Sequence, residues 1–156
     1  MHISDDKQYH WYFGSEESFI EYKNDLIKAM ASGLFLYIAH PDLYFIAKQE
    51  NDDLAKQITK EIIDAAIKYD AVLEINRHGF LRDRNVAIQY PCDYFWSEVA
   101  KTNIKVVIGG DFHDLWEIED GRLEDELNSF IERNNLKIAN IEDVLKNYKE
   151  RIKKIL

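Results

Sequence analysis

Cysteine is nearly absent from these 156 residues: Cys92 stands alone, which excludes an internal disulfide framework and a cysteine-built zinc site. A reducing, cytoplasmic location is the expectation. Long apolar runs are missing as well. No stretch approaches the ~18 residues that span a bilayer, and the start Met-His-Ile-Ser-Asp-Asp lacks the basic-then-apolar order of a secretion signal. Neither membrane residence nor export is expected. Positive charge is in deficit, with 20 Lys and Arg against 29 Asp and Glu and a net charge of -9, which argues against a generic nucleic-acid or anionic-membrane binder. Prolines and glycines are few, so changes of hydrophobic period carry most of the structural signal.

What is present is a chain that is 46% hydrophobic and 31% charged, enough for one globular domain over residues 1–156 with a substantial core. Ser15 followed by Glu16 and Glu17 starts a helix whose apolar face is Phe19, Tyr22, Leu26, Ile27 and Met30, closed by Gly33. A strand is expected over Leu34 to Ala39, then a helix from about Asp53 to Tyr69 and a strand from Ala71 to Ile75. The pattern recurs as a helix from about Asp93 to Thr102 with Phe95, Trp96 and Val99 inward, followed by a strand from Lys105 to Gly109. Two more helices follow, near Gly121 to Asn134 and Ile141 to Ile155. His2-Ile3 offers a further short strand at the N-terminus. Apolar strands alternating with amphipathic helices read as α/β, with a parallel sheet covered on both faces or closed into a barrel.

Two short motifs leave strands at their C-terminal ends, the edge where α/β folds carry chemistry. They are Ala39-His40-Pro41-Asp42 and Gly110-Asp111-Phe112-His113-Asp114. Imidazole and carboxylate hold divalent metals at neutral pH. Alone, His40 before a proline reads as a structural residue, and Asp111 with His113 as a turn aspartate and a surface histidine. Three such groups on one sheet edge favour a metal site.

Glu74, within Leu73-Glu74-Ile75-Asn76, is a charge in an otherwise apolar strand, and a buried carboxylate needs a cation or several donors. It reads either as a site residue or as an acid paired with Arg77 or Arg82. Arg77, His78, Arg82 and Arg84 make the following loop locally basic, suited to an anionic group such as phosphate, although a solvated loop has the same composition. His10, in Tyr9-His10-Trp11-Tyr12-Phe13, reads as part of a packing segment. Cys92 has no basic neighbour in sequence to make it a nucleophile.

In their order, these residues resemble the PHP (polymerase and histidinol phosphatase) family. The likeness runs through His2, Gly33 to Leu43, Leu73-Glu74-Ile75-Asn76, Tyr90-Pro91 with Phe95-Trp96, and Val106 to Asp114. It covers about residues 2 to 135 and is nearest to the C-terminal portion of PHP-type histidinol-phosphate phosphatases. The resemblance implies part of a distorted TIM-like barrel, incomplete in this chain, with divalent ions (zinc, manganese or iron) at the strands' C-terminal ends. It implies hydrolysis of a small phosphomonoester, as in histidine biosynthesis. By position, His40, Asp111 and His113 match metal ligands, His2 matches an earlier ligand, and Asp111 with His113 are the candidate catalytic pair. Glu74 and Asn76 match a strand motif beside the site, whereas Arg77 and His78 replace small polar residues common there; Arg77 and Arg82 are candidates for substrate binding from their basic loop.

The family's opening H-x-H pair, further His and Asp ligands and metal-bridging glutamate have no counterpart here. The expectation is therefore a truncated phosphatase whose site is completed by another copy or a complementing chain. The alternatives are a non-catalytic remnant that folds by self-association, and a phosphoesterase for another substrate such as phosphotyrosine. Both of the first two predict an oligomer.

Overall fold

Helices form where apolar residues recur at helical spacing, and the sheet forms where they run unbroken. A computed structural model describes residues 15–48, 50–81, 90–119 and 121–155. Helix α1 (Glu16–Ser32) starts after Ser15 with two acids in its first turn and buries Phe19, Tyr22, Leu26 and Met30. Helix α2 (Asp53–Lys68) is capped by Asp52, whose side chain accepts a hydrogen bond from the Ala55 N–H at 3.0 Å. Its buried stripe runs through Ile58, Ile62, Ala65 and Ala66. Helix α3 (Asp93–Ala100) turns Phe95, Trp96 and Val99 inward. Beyond it lie the four-residue α4 (Trp116–Glu119), α5 (Gly121–Arg133) and α6 (Ile141–Ile155).

Strands β1 (Val72–Asn76) and β2 (Lys105–Gly109) pair in parallel, Val72 opposite Lys105 and Asn76 opposite Gly109. Ile38 bridges to Leu73 on one flank and Ile138 to Val106 on the other, both in parallel. Four segments thus lie side by side in chain order with the same direction. Among the described residues the fold is mixed α/β and mostly helical, 62%, with two parallel strands.

Alternation along β1 separates two environments. Leu73 and Ile75 join the main core with residues of α1, α2, α3 and α5, where Phe95, Trp96 and Phe130 are fully enclosed. Burial of each such side chain is worth roughly 1.5–3 kcal/mol. Val72 faces the other way and packs with Val107 and with Val144 of α6. Glu74 and Asn76 follow Val72 at every second position, so this thinner layer is apolar at its start and polar at its C-terminal end.

The expected strand over Leu34 to Ala39 is reduced to the single bridge at Ile38, held by Ile38 N–H to Val72 O at 2.8 Å and Glu74 N–H to Ile38 O at 3.0 Å. The cause is competition for its carbonyls. Arg151 donates to Gly33 O at 2.9 Å and Phe35 O at 2.6 Å, and the Tyr148 hydroxyl donates to Leu34 O at 3.1 Å. Helix α6 thus occupies acceptors that a strand would use. The segments after Asp42 and Asn76 form 3-10 turns, Leu43–Ile46 and Arg77–Leu81.

Candidate functional site at the strand ends

The loop after Ile38 turns through His40 in the left-handed region, with φ 34°. Two hydrogen bonds fix its backbone. The His40 N–H donates to Glu74 Oε2 at 3.0 Å, and the Tyr22 hydroxyl donates to His40 O at 2.6 Å. The imidazole is buried and lies edge-on to the Tyr90 ring, 6.4 Å between centroids. Asp42 anchors the other end of the loop. Its Oδ2 accepts from the Cys92 N–H and from Trp96 Nε1, each at 2.8 Å. Burial pushes the Asp42 carboxyl up to about 7; those two donors pull against the rise, and the charge on Glu74 adds to it.

The loop after β2 repeats the backbone device at Asp111, with φ 48°. Gly109 explains how this loop meets β1, for a Cβ there would occupy the space of the Glu74 carboxylate. Asn76 Nδ2 donates to Asp111 Oδ2 at 3.0 Å and to Glu74 Oε2 at 3.3 Å, so one amide joins the two acids. His113 Nε2 lies 3.8 Å from Asp111 Oδ1, and its side chain is 61% exposed. The His113 ring stacks on that of His78, 4.5 Å between centroids and 21° between planes. Glu117 Oε2 accepts from the His113 N–H at 3.0 Å and meets His78 Nδ1 at 3.2 Å.

The charges in this cluster are mostly negative. Burial raises the Glu74 carboxyl above its ordinary range; the His40 N–H and Asn76 oppose the rise, and Asp111 reinforces it. Burial, with the charges of Glu74 and Asp111, likewise raises the Tyr37 phenol. For Glu117, burial works upward, yet the His113 N–H and the His78 contact outweigh it and leave the carboxyl below its ordinary range.

Of the residues singled out in the sequence, the structure joins His40, Glu74, Asn76, Asp111 and His113 in one connected series along the strand ends, His40 through its backbone. Arg77 is turned elsewhere. Its guanidinium lies 5.0 Å from the Phe112 ring centroid and 3.4 Å from Glu124, so neither arm of the anticipated Glu74–Arg77 pair meets the other among the described residues. His2 and Arg82, with His10, Arg84 and the strand considered at His2-Ile3, lie outside the described residues. Sequence reasoning carried Asp42 only as the last residue of the His40 motif and missed Gly109 and Glu117 as parts of the site. Gly109 had a local signal, a glycine at the end of an apolar strand, which marks a close approach.

The donor set fits a divalent ion in part. Asp111 and His113 offer oxygen and nitrogen side by side, and the buried Glu74 carboxylate one amide away has no ion-pair partner among the described residues. Also among the described residues, no three His, Cys, Asp or Glu side chains stand close enough together to hold an ion. Asp111 and His113 thus place one oxygen and one nitrogen donor together, and an ion held there would need a third donor from elsewhere. A groove of about 630 Å³ between α2 and α3 includes none of these residues, and its Lys56, Lys60 and Lys101 are paired with Asp53, Asp64 and Glu98.

No protein-family model matches the sequence, and no curated protein matches it. No helix of the described residues is long and apolar enough to cross a membrane.

Proposed function

We propose that this chain is a divalent-metal-dependent phosphomonoester hydrolase of the PHP kind, with Asp111 and His113 as its metal ligands. The observation that carries the reading is the connected series from the His40 N–H through Glu74, Asn76 and Asp111 to His113, along the C-terminal ends of adjacent parallel segments. His2, which lies outside the described residues, or a donor of a second chain would complete the ion's shell, with His40 entering the series through its backbone. When bound, such an ion supplies hydroxide at neutral pH and offsets charge on phosphoryl oxygens. Asn76 orients the Asp111 carboxylate toward His113, and Gly109 leaves room for Glu74 beneath it. In this reading the sheet is part of a TIM-like barrel and the substrate a small phosphorylated molecule, with histidinol phosphate the first to test.

The test is hydrolysis of histidinol phosphate and of an aryl phosphate by the purified chain, with manganese or zinc added. The expected result is turnover that requires metal and is lost in Asp111→Ala. A second reading, a non-catalytic remnant that self-associates, draws on the apolar residues that α6 leaves exposed, Ile141 at 52%, Leu145 at 38% and Ile155 at 47%. Tight self-association in light scattering, with no turnover under either metal, would select it.

A further inference from the structure

His78 and Glu117 belong to neither motif, yet both touch the residue on which the proposed site depends. Glu117 is 2% exposed, although it belongs to a four-residue helix at the surface. One of its oxygens, Oε2, faces the His113 N–H at 3.0 Å and His78 Nδ1 at 3.2 Å. An ionised carboxylate only accepts hydrogen bonds, so His78 Nδ1 carries the proton in this contact. That contact fixes the ring of His78, the second residue of the turn directly after β1. The His113 side chain is 61% exposed and rests on this fixed ring, with its Nε2 3.8 Å from Asp111 Oδ1. A single buried oxygen therefore sets both the backbone of His113 and the surface its imidazole lies against.

We propose that Glu117 and His78 are positioning residues that hold the His113 imidazole toward Asp111 ahead of metal binding. The inference rests on the metal-site reading above. Neighbours that orient a ligand in this way change metal affinity by about 10–100-fold when removed.

Calorimetric titration of the full chain with manganese alone tests it, using the parent, His78→Ala, His78→Phe and Glu117→Ala. The expected result is at least about a tenfold loss of affinity in His78→Ala and Glu117→Ala. His78→Phe keeps a flat ring beneath His113 and should stay closer to the parent than His78→Ala. Glu117→Gln, which retains an acceptor for the His113 N–H, replaces Glu117→Ala if that variant does not fold. Parent-like affinity in His78→Ala would overturn the proposal. A second readout needs no metal: the His113 ring-proton resonances, shifted by the stacked His78 ring, should move on His78→Ala and on the Glu117 substitution. If the parent takes up no manganese, the metal-site reading fails, and these resonances decide the positioning claim alone; unmoved resonances would refute it.

Discussion

The loops after Ile38 and after Gly109 use the same backbone device and put it to different ends. Each turns through a left-handed residue, His40 at φ 34° and Asp111 at φ 48°, and each presents an imidazole and a carboxylate within a few residues. The first loop is tied down on every side, by Tyr22 and Glu74 at His40 and by Cys92 and Trp96 at Asp42, which is 1% exposed. The second leaves His113 largely in solvent, with only its backbone and one ring face restrained. A motif of histidine and acid at a strand end therefore does not by itself make a ligand pair. Where its polar groups face donors of the core it builds a wall, and where they face water beside another acid it stays open, which is what the proposed metal site needs.

The sharpest way to break this comparison is to remove one acid from the wall and one imidazole from the open edge. Asp42→Ala leaves the Cys92 N–H and Trp96 Nε1 buried without their acceptor and should cost about 2–5 kcal/mol in urea unfolding. His113→Ala, at an exposed position, should stay within about 0.5 kcal/mol. Equal losses would erase the distinction between the loops.

The pH dependence sharpens the same contrast. The Asp42 carboxyl ordinarily titrates near 3.8 and is raised to about 7 in the fold, so between those values the native state keeps a proton that the unfolded state releases. Its contribution to stability is therefore full below the lower value and declines as pH rises toward the upper, by at most about 1.4 kcal/mol per pH unit, then levels off. Asp42→Asn should flatten that decline, and an unchanged profile would assign it to other groups. A smaller effect is expected at the junction of the loops. Gly109→Ala forces a methyl group into the space of the Glu74 carboxylate and should cost about 1–3 kcal/mol by thermal or urea unfolding.

Much of the helical layer was legible because its apolar residues repeat at helical spacing, as Phe19, Tyr22, Leu26 and Met30 do. Both strands were legible as apolar runs, β1 interrupted only by Glu74 before its end. The stretch from Leu34 to Ala39 has the same composition but forms only a bridge, because its carbonyls are taken by Tyr148 and Arg151, more than a hundred residues away. No local pattern announces such a partner. In the site, Glu74, Asn76, Asp111 and His113 were visible from their places at strand ends. Asp42 was visible only as the acid of the His40 motif, its role hidden because its donors come from Cys92 and Trp96, and Glu117 was not visible, having the sequence setting of an ordinary surface acid. The basic loop was visible too, but Arg77 answers Glu124 and Phe112 rather than Glu74.

The most direct test of the open edge is the metal content of the chain purified without chelator from cells supplied with manganese and zinc. Stoichiometric metal in the parent, absent from Asp111→Ala and His113→Ala, is the predicted result. A metal-free parent, or metal retained in Asp111→Ala, would contradict the account.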